Sequence, residues 1–210
     1  LTHILPGVTL FFLWRHRYQE GVQWMAEARE QVFDDNELLA ALTAVQARFL
    51  AQQQLHETAQ ALAQTAAAFA PADPLTHLNL GHTWLGHGTL DSSQRHFQQA
   101  LNGYRETADS WGEAQALGGI AETANMQGRY DVAQSHFGAS RRLFAQCGDR
   151  RSQAWVLERL SYVLRDQGQM GEAETCAAAA VDLYRAIGDQ EKIADGSLAL
   201  SWLLVYMGRS

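Results

Sequence analysis

The sequence has very little lysine and proline, and each shortage narrows the choice of protein class. Lys192 is the only lysine among 210 residues, and 23 acidic residues against 16 basic ones leave a net charge of -7. A surface of that sign does not neutralise phosphates, so we expect no direct nucleic-acid partner and no membrane partner. Only three prolines occur and no stretch alternates apolar with polar residues, which predicts helices and no strands.

Cysteine and long apolar runs are scarce as well. Cys147 and Cys176 are too few for a disulfide framework and lack a CxxC partner, so we expect reduced thiols in a cytoplasmic protein. The longest apolar stretch, residues 4–14, contains Pro6 and Gly7 and is shorter than the ~20 residues of a membrane span. It also lacks the basic start of a signal peptide. Hydrophobic residues nevertheless make up 47% of the chain, enough for a core.

What the sequence does have is a register of 40 residues. Glycine recurs with this step, and apolar and aromatic residues keep the same step elsewhere in the unit. The glycines are Gly88, Gly128, Gly168 and Gly208; the apolar series is Leu80, Ile120, Leu160 and Leu200; the aromatic series is Tyr104, Phe144 and Tyr184. A period of this length indicates tandem supersecondary units that stack on one another.

The glycines are predicted to end helices. The residue just beyond a helix often adopts the left-handed conformation, which costs glycine nothing sterically. Gly88, Gly128 and Gly168 are therefore expected to end the first helix of each unit. The dipeptides Gly148-Asp149 and Gly188-Asp189 are expected to end the second helix and to cap the next one through the aspartate, with Ala108-Asp109 as a first copy without the glycine.

Within a unit, Ser93, Phe97 and Ala100 have the spacing of a stripe that packs an antiparallel helix pair. Together with Leu80-Gly81, Trp84 and Gly88, these residues resemble the tetratricopeptide repeat (TPR), whose pattern is L-G-x-x-Y followed by A-x-x-x-F and a small residue. The resemblance extends over the whole chain. It implies an all-α, right-handed superhelix, or α-solenoid, of about eleven antiparallel helices in one domain over residues 1–210. The expected units are 2–33, 34–71, 73–108, 109–148, 149–188 and a lone helix at 189–207.

The 40-residue step with Gly-Asp between units, and the opening residues 10–14 and 19–24, resemble the helical-repeat segment of MalT-like, LuxR-type bacterial transcriptional regulators. This resemblance implies a protein-interaction or ligand-sensing module of a larger cytosolic signalling protein. The chain begins at Leu1 without methionine and its pattern stops within a unit, so we expect a segment of a longer protein. The step is also similar to that of peptide-binding scaffolds, which makes a stand-alone adaptor the alternative. A helical-repeat hydrolase is the least favoured function.

Neither metal ligands nor a catalytic constellation can be assembled from the sequence. His77, His82 and His87 are spaced by five residues, which leaves neighbours about 140° apart around a helix, so they cannot share one ion. No GxSxG motif occurs, and Cys176 lies in an alanine run typical of a packed helix. We therefore predict no catalytic residue, no metal site and no cofactor.

A recognition surface is the remaining candidate site. The first helices of stacked units line a concave groove, where exposed aromatic and arginine side chains are typical anchors. The expected partner is a protein or peptide, or else a small-molecule effector. A homodimer is also expected through the C-terminal helix, whose apolar edge comprises Leu200, Leu204 and Met207. The predicted groove residues are Asn79, His82, Glu122, Asn125, Trp155, Glu158, Arg159, Tyr162, Arg165 and Trp202.

Overall fold

The computed structural model describes residues 4–70 and 72–206, and eleven α-helices account for all the regular structure in these residues. No strand occurs among them, which confirms the all-α prediction. No helix in this part of the chain is both long and apolar enough to cross a lipid bilayer. The helices are α1 (Leu5–Trp14), α2 (Tyr18–Glu30), α3 (Asn36–Gln52), α4 (His56–Phe69), α5 (Pro74–Gly86), α6 (Leu90–Glu106), α7 (Ser110–Met126), α8 (Tyr130–Gln146), α9 (Arg150–Asp166), α10 (Met170–Ala186) and α11 (Gln190–Tyr206).

The chain divides into two compact units, Leu1–Gly112 and Glu113–Ser210, with the boundary in the first turn of α7. In the first unit, α3 packs against α4 and α5 against α6. In the second unit, α9 packs against α10, and α10 also contacts α11. The single domain over residues 1–210 stays a prediction, and Pro71 and Met207, which end two of the expected repeats, lie outside the described residues.

The helix ends have the predicted geometry. The glycines at 88, 128, 148, 168 and 188 all have φ between 72° and 79°, which is the left-handed region. The carboxylates of Asp149 and Asp189 accept hydrogen bonds from the amides of Ser152 and Lys192, so each caps the helix that follows. Ala108 adopts the same left-handed conformation, with φ 53°, although it has a side chain. The register therefore imposes the turn even where the favourable residue is missing.

The α5/α6 hairpin shows why the repeat needs small residues. Ser93, Phe97 and Ala100 are all fully buried between the two helices. The Ser93 hydroxyl donates a 3.0 Å hydrogen bond to the Gly81 carbonyl oxygen. A Cβ atom at Gly81 would lie 2.5 Å from Cδ1 of Phe97, a distance that no side chain tolerates. This close approach confirms the predicted antiparallel pair.

Helix α11 resembles α9 in sequence register but is covered differently. Leu164 of α9 is buried in a cluster with Ala173 and Ala177 of α10. Its counterpart 40 residues later, Leu204, is only half-buried. The small residues of the two helices follow the same trend, since Ser161 is buried and Ser201 is exposed. The edge of α11 predicted to mediate self-association is thus partly accessible in the described residues.

Candidate functional site

A buried carboxylate organises the centre of the second unit. Glu158 of α9 is only 8% exposed. Its Oε2 accepts a 3.0 Å hydrogen bond from the hydroxyl of Tyr184, a fully buried residue of α10. Its Oε1 accepts hydrogen bonds from Arg159 at 2.9 Å and from the Tyr162 hydroxyl at 3.3 Å. Buried charges require such partners. We call Glu158, Arg159, Tyr162 and Tyr184 the polar cluster.

The electrostatics of the polar cluster keep its arginine charged and its tyrosines neutral. Burial acts to lower the pKa of Arg159, but the negative charges of Glu122 and Glu158 outweigh it, so the pKa lies above its usual value. Burial, followed by the charge of Glu158, raises the pKa of Tyr162 and of Tyr184. The two hydroxyls therefore remain donors to the carboxylate at physiological pH.

Tyr162 lies between two guanidinium groups. The Cζ atom of Arg159 is 5.0 Å from the ring centroid and that of Arg165 is 5.3 Å from it, both within cation–π range. Arg165 is exposed, and its Nε and Nη2 both donate to Oδ1 of Asp166, at 2.9 and 2.8 Å. The structure thus brings together four of the predicted groove residues on α9, but each arginine already has a carboxylate partner.

Two predicted residues of α7, Glu122 and Asn125, also belong to the second unit. Glu122 is close enough to attract Arg159 electrostatically. Asn125 is half-buried, and its Oδ1 atom is buried without a hydrogen-bond partner in the protein. The Nε atom of Arg159 is likewise buried and unpartnered. Unsatisfied buried polar atoms are uncommon, so these two are places where an acceptor on α7 and a donor on α9 lack a partner within the protein.

Trp155 differs from the other predicted groove residues because part of its ring packs inside the second unit. Its ring stands edge-on to Phe137 of α8, with the centroids 6.2 Å apart. A Cβ atom at Gly118 of α7 would lie 3.1 Å from Cζ3 of Trp155, so the missing side chain at that position makes room for the indole. Trp155 is therefore half-buried, and part of its indole is used for packing inside the unit.

One cavity of the second unit lies between α9 and α11. This α9–α11 cavity has a volume of about 690 Å³. Trp202, a predicted groove residue, lines it and is 69% exposed. The full lining consists of Tyr162, Arg165, Asp166, Met170, Asp195, Leu198, Ala199, Trp202, Leu203 and Tyr206.

The two predicted residues of the first unit are engaged in internal contacts. Asn79 is 1% exposed; its amide donates to the Leu75 carbonyl at 2.9 Å and its Oδ1 accepts from Arg48 at 3.2 Å. The His82 ring stands edge-on to Phe97, with the centroids 4.8 Å apart. Burial, and then the positive charge of Arg48, hold the pKa of His82 well below its usual value, so the ring is neutral. Asn79 and His82 are therefore poorly placed to meet a ligand.

The thiol of Cys176 and the rings of His77 and His96 are further chemically capable groups. Burial raises the pKa of the Cys176 thiol, which keeps it in the poorly nucleophilic neutral form. His77 and His96 stack on each other with their Nδ1 atoms 3.1 Å apart, on α5 and α6 of the first unit. Among the described residues, no three His, Cys, Asp or Glu side chains converge as a metal site would require.

Sequence reasoning missed several residues of the α9–α11 cavity, in particular Met170, Leu203 and Tyr206. Tyr206 occupies the position of Asp166 in the next repeat, and neither position was predicted to line a groove. Met170 gave no signal either, since it begins α10 and enters the cavity only through the packing of that helix against α9 and α11.

No protein-family model and no curated protein matches the chain. Solved structures, however, share its fold. A Rap protein complexed with competence and sporulation factor superposes with a TM-score of 0.78 at 11% identity, over 90% of this chain and 55% of that one. Aspartyl phosphate phosphatase F from Bacillus subtilis gives 0.74 at 14% identity, over 93% and 54%. The signal transduction ATPase PH0952 from Pyrococcus horikoshii, which has a tetratricopeptide repeat sensor, gives 0.69 at 12% identity, over 90% and 30%.

The fold is that of a TPR-type helical repeat protein. At these identities the likeness concerns the fold alone. The chain spans about half the length of the Rap protein and of phosphatase F, and under a third of the length of the Pyrococcus ATPase.

Proposed function

We propose that the chain is a non-catalytic interaction or sensor module of a larger cytosolic signalling or transcriptional regulator, and that it binds a protein or peptide partner through its second unit. One observation carries the proposal. The α9–α11 cavity opens beside the polar cluster, so aromatic and arginine side chains surround a space large enough for a ligand. Its volume of about 690 Å³ is in the range of ~300–1,000 Å³ typical of binding pockets.

Unpartnered polar atoms on α7 and α9 give further support to the second unit as the binding unit. Oδ1 of Asn125 can accept a hydrogen bond and Nε of Arg159 can donate one. A partner that supplies the complementary groups would relieve the cost of leaving them unsatisfied, about 1–3 kcal/mol for each buried group. Such a gain is made only in the complex, which is what a recognition surface requires.

The likeness to known structures is compatible with this role. One neighbour of the same fold is complexed with competence and sporulation factor, and another carries a tetratricopeptide repeat sensor beside an ATPase. The sequence resemblance to the repeat segment of MalT-like regulators agrees with the second case. A sensor segment in a larger chain is therefore our preferred context, and a stand-alone adaptor is the alternative.

A catalytic role has little support from the residues. The neutral thiol of Cys176 lacks the low pKa of a nucleophile, and the polar cluster uses its carboxylate to bind internal donors. One neighbour is called a phosphatase, but at 14% identity that name does not extend to this chain.

Selection from a displayed library of random peptides tests the proposed surface. Peptides selected on the parent protein should lose at least tenfold in affinity for the double variant Arg159→Ala, Tyr162→Ala, while the far-ultraviolet circular dichroism stays helical. Arg185→Ala is the matched control, because Arg185 is an exposed arginine of α10 whose side chain pairs with Asp182. Equal affinity of the selected peptides for all three proteins would reject the surface.

The regulator and the adaptor are distinguished by the complete open reading frame. An ATP-binding domain before Leu1, or a DNA-binding domain after Ser210, would support the regulator. A frame that encodes neither would favour the adaptor.

A further inference from the structure

The α9–α11 cavity has a lining that also indicates which kind of chemical group it would bind. We infer that it is an anchor pocket for one uncharged, large apolar or aromatic side chain of a short extended peptide. The inference rests on the proposed function, because it names the class of partner for the same unit. Three observations lead to it: the pairing of every charge at the cavity, the apolar face of α11, and the length of that face.

The charged groups that line the cavity are already neutralised within the protein. Arg165 donates twice to Asp166, and its guanidinium covers the ring of Tyr162. Asp195 receives a 3.5 Å contact from Lys192 of the same helix. These two pairs leave the charged lining close to net neutral, so a charged ligand would lose its own hydration there without a full opposite charge in return, which an uncharged side chain does not.

The apolar wall of the cavity comes from α11. Leu198, Trp202 and Tyr206 are 62%, 69% and 78% exposed, an unusual concentration of large apolar surface on one helix. In the 40-residue register they correspond to Glu158, Tyr162 and Asp166 of α9. The polar positions of one repeat are therefore apolar in the next, where the cavity opens.

The length of the apolar wall fits a peptide better than an isolated small molecule. Leu198 to Tyr206 rises about 12 Å along the helix, at ~1.5 Å per residue. An extended peptide of about four residues covers the same distance at ~3.3 Å per residue. The least exposed apolar lining residues, Leu203 and the half-buried Met170, then meet the anchor side chain, while Leu198 and Tyr206 flank its neighbours.

Capped pentapeptides of sequence Ac-Gly-Ala-Xaa-Ala-Gly-NH2 test the inference, with Xaa as Phe, Glu or Lys. Their affinities for the whole protein are measured by titration in two-dimensional NMR spectra. We expect the Phe peptide to bind at least tenfold more tightly than the other two. Trp202→Ala should weaken the Phe peptide about tenfold, since a buried aromatic anchor commonly contributes that much. Val205→Ala is the matched control, because Val205 is 62% exposed on the same helix but does not line the cavity.

Several results would overturn the inference. Preference for the Glu peptide would make Arg165 an anion site, preference for the Lys peptide would make Asp195 a cation site, and no saturable binding would leave no anchor pocket. Equal binding of N-acetylphenylalaninamide would assign the cavity to a small molecule. A concentration-dependent dimer of the parent that disappears in Trp202→Ala would assign it to a second copy of the chain. If library peptides still depend on Arg159 and Tyr162 in any of these cases, the proposed function stands and only this inference fails.

Discussion

Removal of the Glu158 carboxylate should be among the most damaging single changes in the second unit. Glu158→Ala deletes the acceptor for Arg159, Tyr162 and Tyr184 at once. The preceding repeat shows that the contact is specific to this position. Forty residues earlier, Tyr184 is replaced by Phe144 and Glu158 by Gly118, so the hydroxyl and the carboxylate are absent together.

The expected loss in the free energy of unfolding is about 3 kcal/mol. Most of it comes from Tyr184, because its hydroxyl is fully buried and an unsatisfied buried group costs about 1–3 kcal/mol. Arg159 is about one-third exposed and keeps the attraction of Glu122, so its lost pairing adds only about 0.5–1 kcal/mol. Tyr162 is half-buried and can turn to water. Glu158→Gln keeps one carbonyl acceptor and should cost about half as much.

Urea unfolding followed by circular dichroism measures the total loss in the free energy of unfolding. Hydrogen exchange of the α9 and α10 amides shows where in the unit that loss occurs. The localisation matters because repeat proteins can unfold one region at a time. Glu172→Ala is the matched control, since Glu172 is an exposed glutamate of α10. A double-mutant cycle with Tyr184→Phe should give a coupling of about 1–2 kcal/mol.

Two results would refute this account of the polar cluster. If Glu158→Ala costs no more than Glu172→Ala, the carboxylate does not organise the unit. If the cycle with Tyr184→Phe shows no coupling, the loss arises from some other contact of Glu158.

Three further predictions concern a turn, a histidine and the edge of α11. Ala108→Gly should stabilise the protein by about 0.5–1 kcal/mol in thermal unfolding, because Ala108 is strained at φ 53°. Gly148→Ala should destabilise the protein, because it places a side chain in the same left-handed conformation. A change of the same sign in both variants would contradict the argument. Burial, with the charges of neighbouring groups, lowers the pKa of His96 from 6.5 to about 4. As the pH falls, the unfolded chain therefore binds the proton before the folded chain does. The free energy of unfolding should fall by about 1–2 kcal/mol between pH 6.5 and 4. His96→Gln should flatten that acid limb and the exposed-site variant His87→Gln should not; equal limbs would count against it. The half-buried Leu204 should support weak self-association, so sedimentation should show less dimer for Leu204→Glu than for the parent, and identical profiles would exclude this edge.

Sequence alone predicted the local architecture of this chain. From α5 onward, the helix breaks at left-handed glycines and the aspartate caps at Asp149 and Asp189 follow from the 40-residue register, whereas the number of helices follows from the resemblance to the tetratricopeptide repeat. These features depend on backbone conformation and on contacts within about four residues. Periodicity therefore contains nearly all the information needed to place them.

The candidate site could be predicted only in part. Glu158, Arg159, Tyr162 and Arg165 lie within two turns of one helix, so their common face was evident from spacing. The buried Tyr184 was not part of the prediction, because its contact with Glu158 joins two helices and depends on how closely α9 and α10 pack. The pairing of each arginine with a neighbouring carboxylate, Glu158 or Asp166, was not part of the prediction either.

Tertiary structure decided which polar residues remain accessible. Asn79 and Trp155 occupy the same kind of register position as exposed groove residues. Asn79 is nevertheless buried against Arg48, which lies 31 residues away in sequence, and Trp155 settles into the space that Gly118 leaves. Helical spacing determines the direction in which a side chain leaves its own helix, whereas the volume and charge of the neighbouring helices determine whether it then meets protein or solvent.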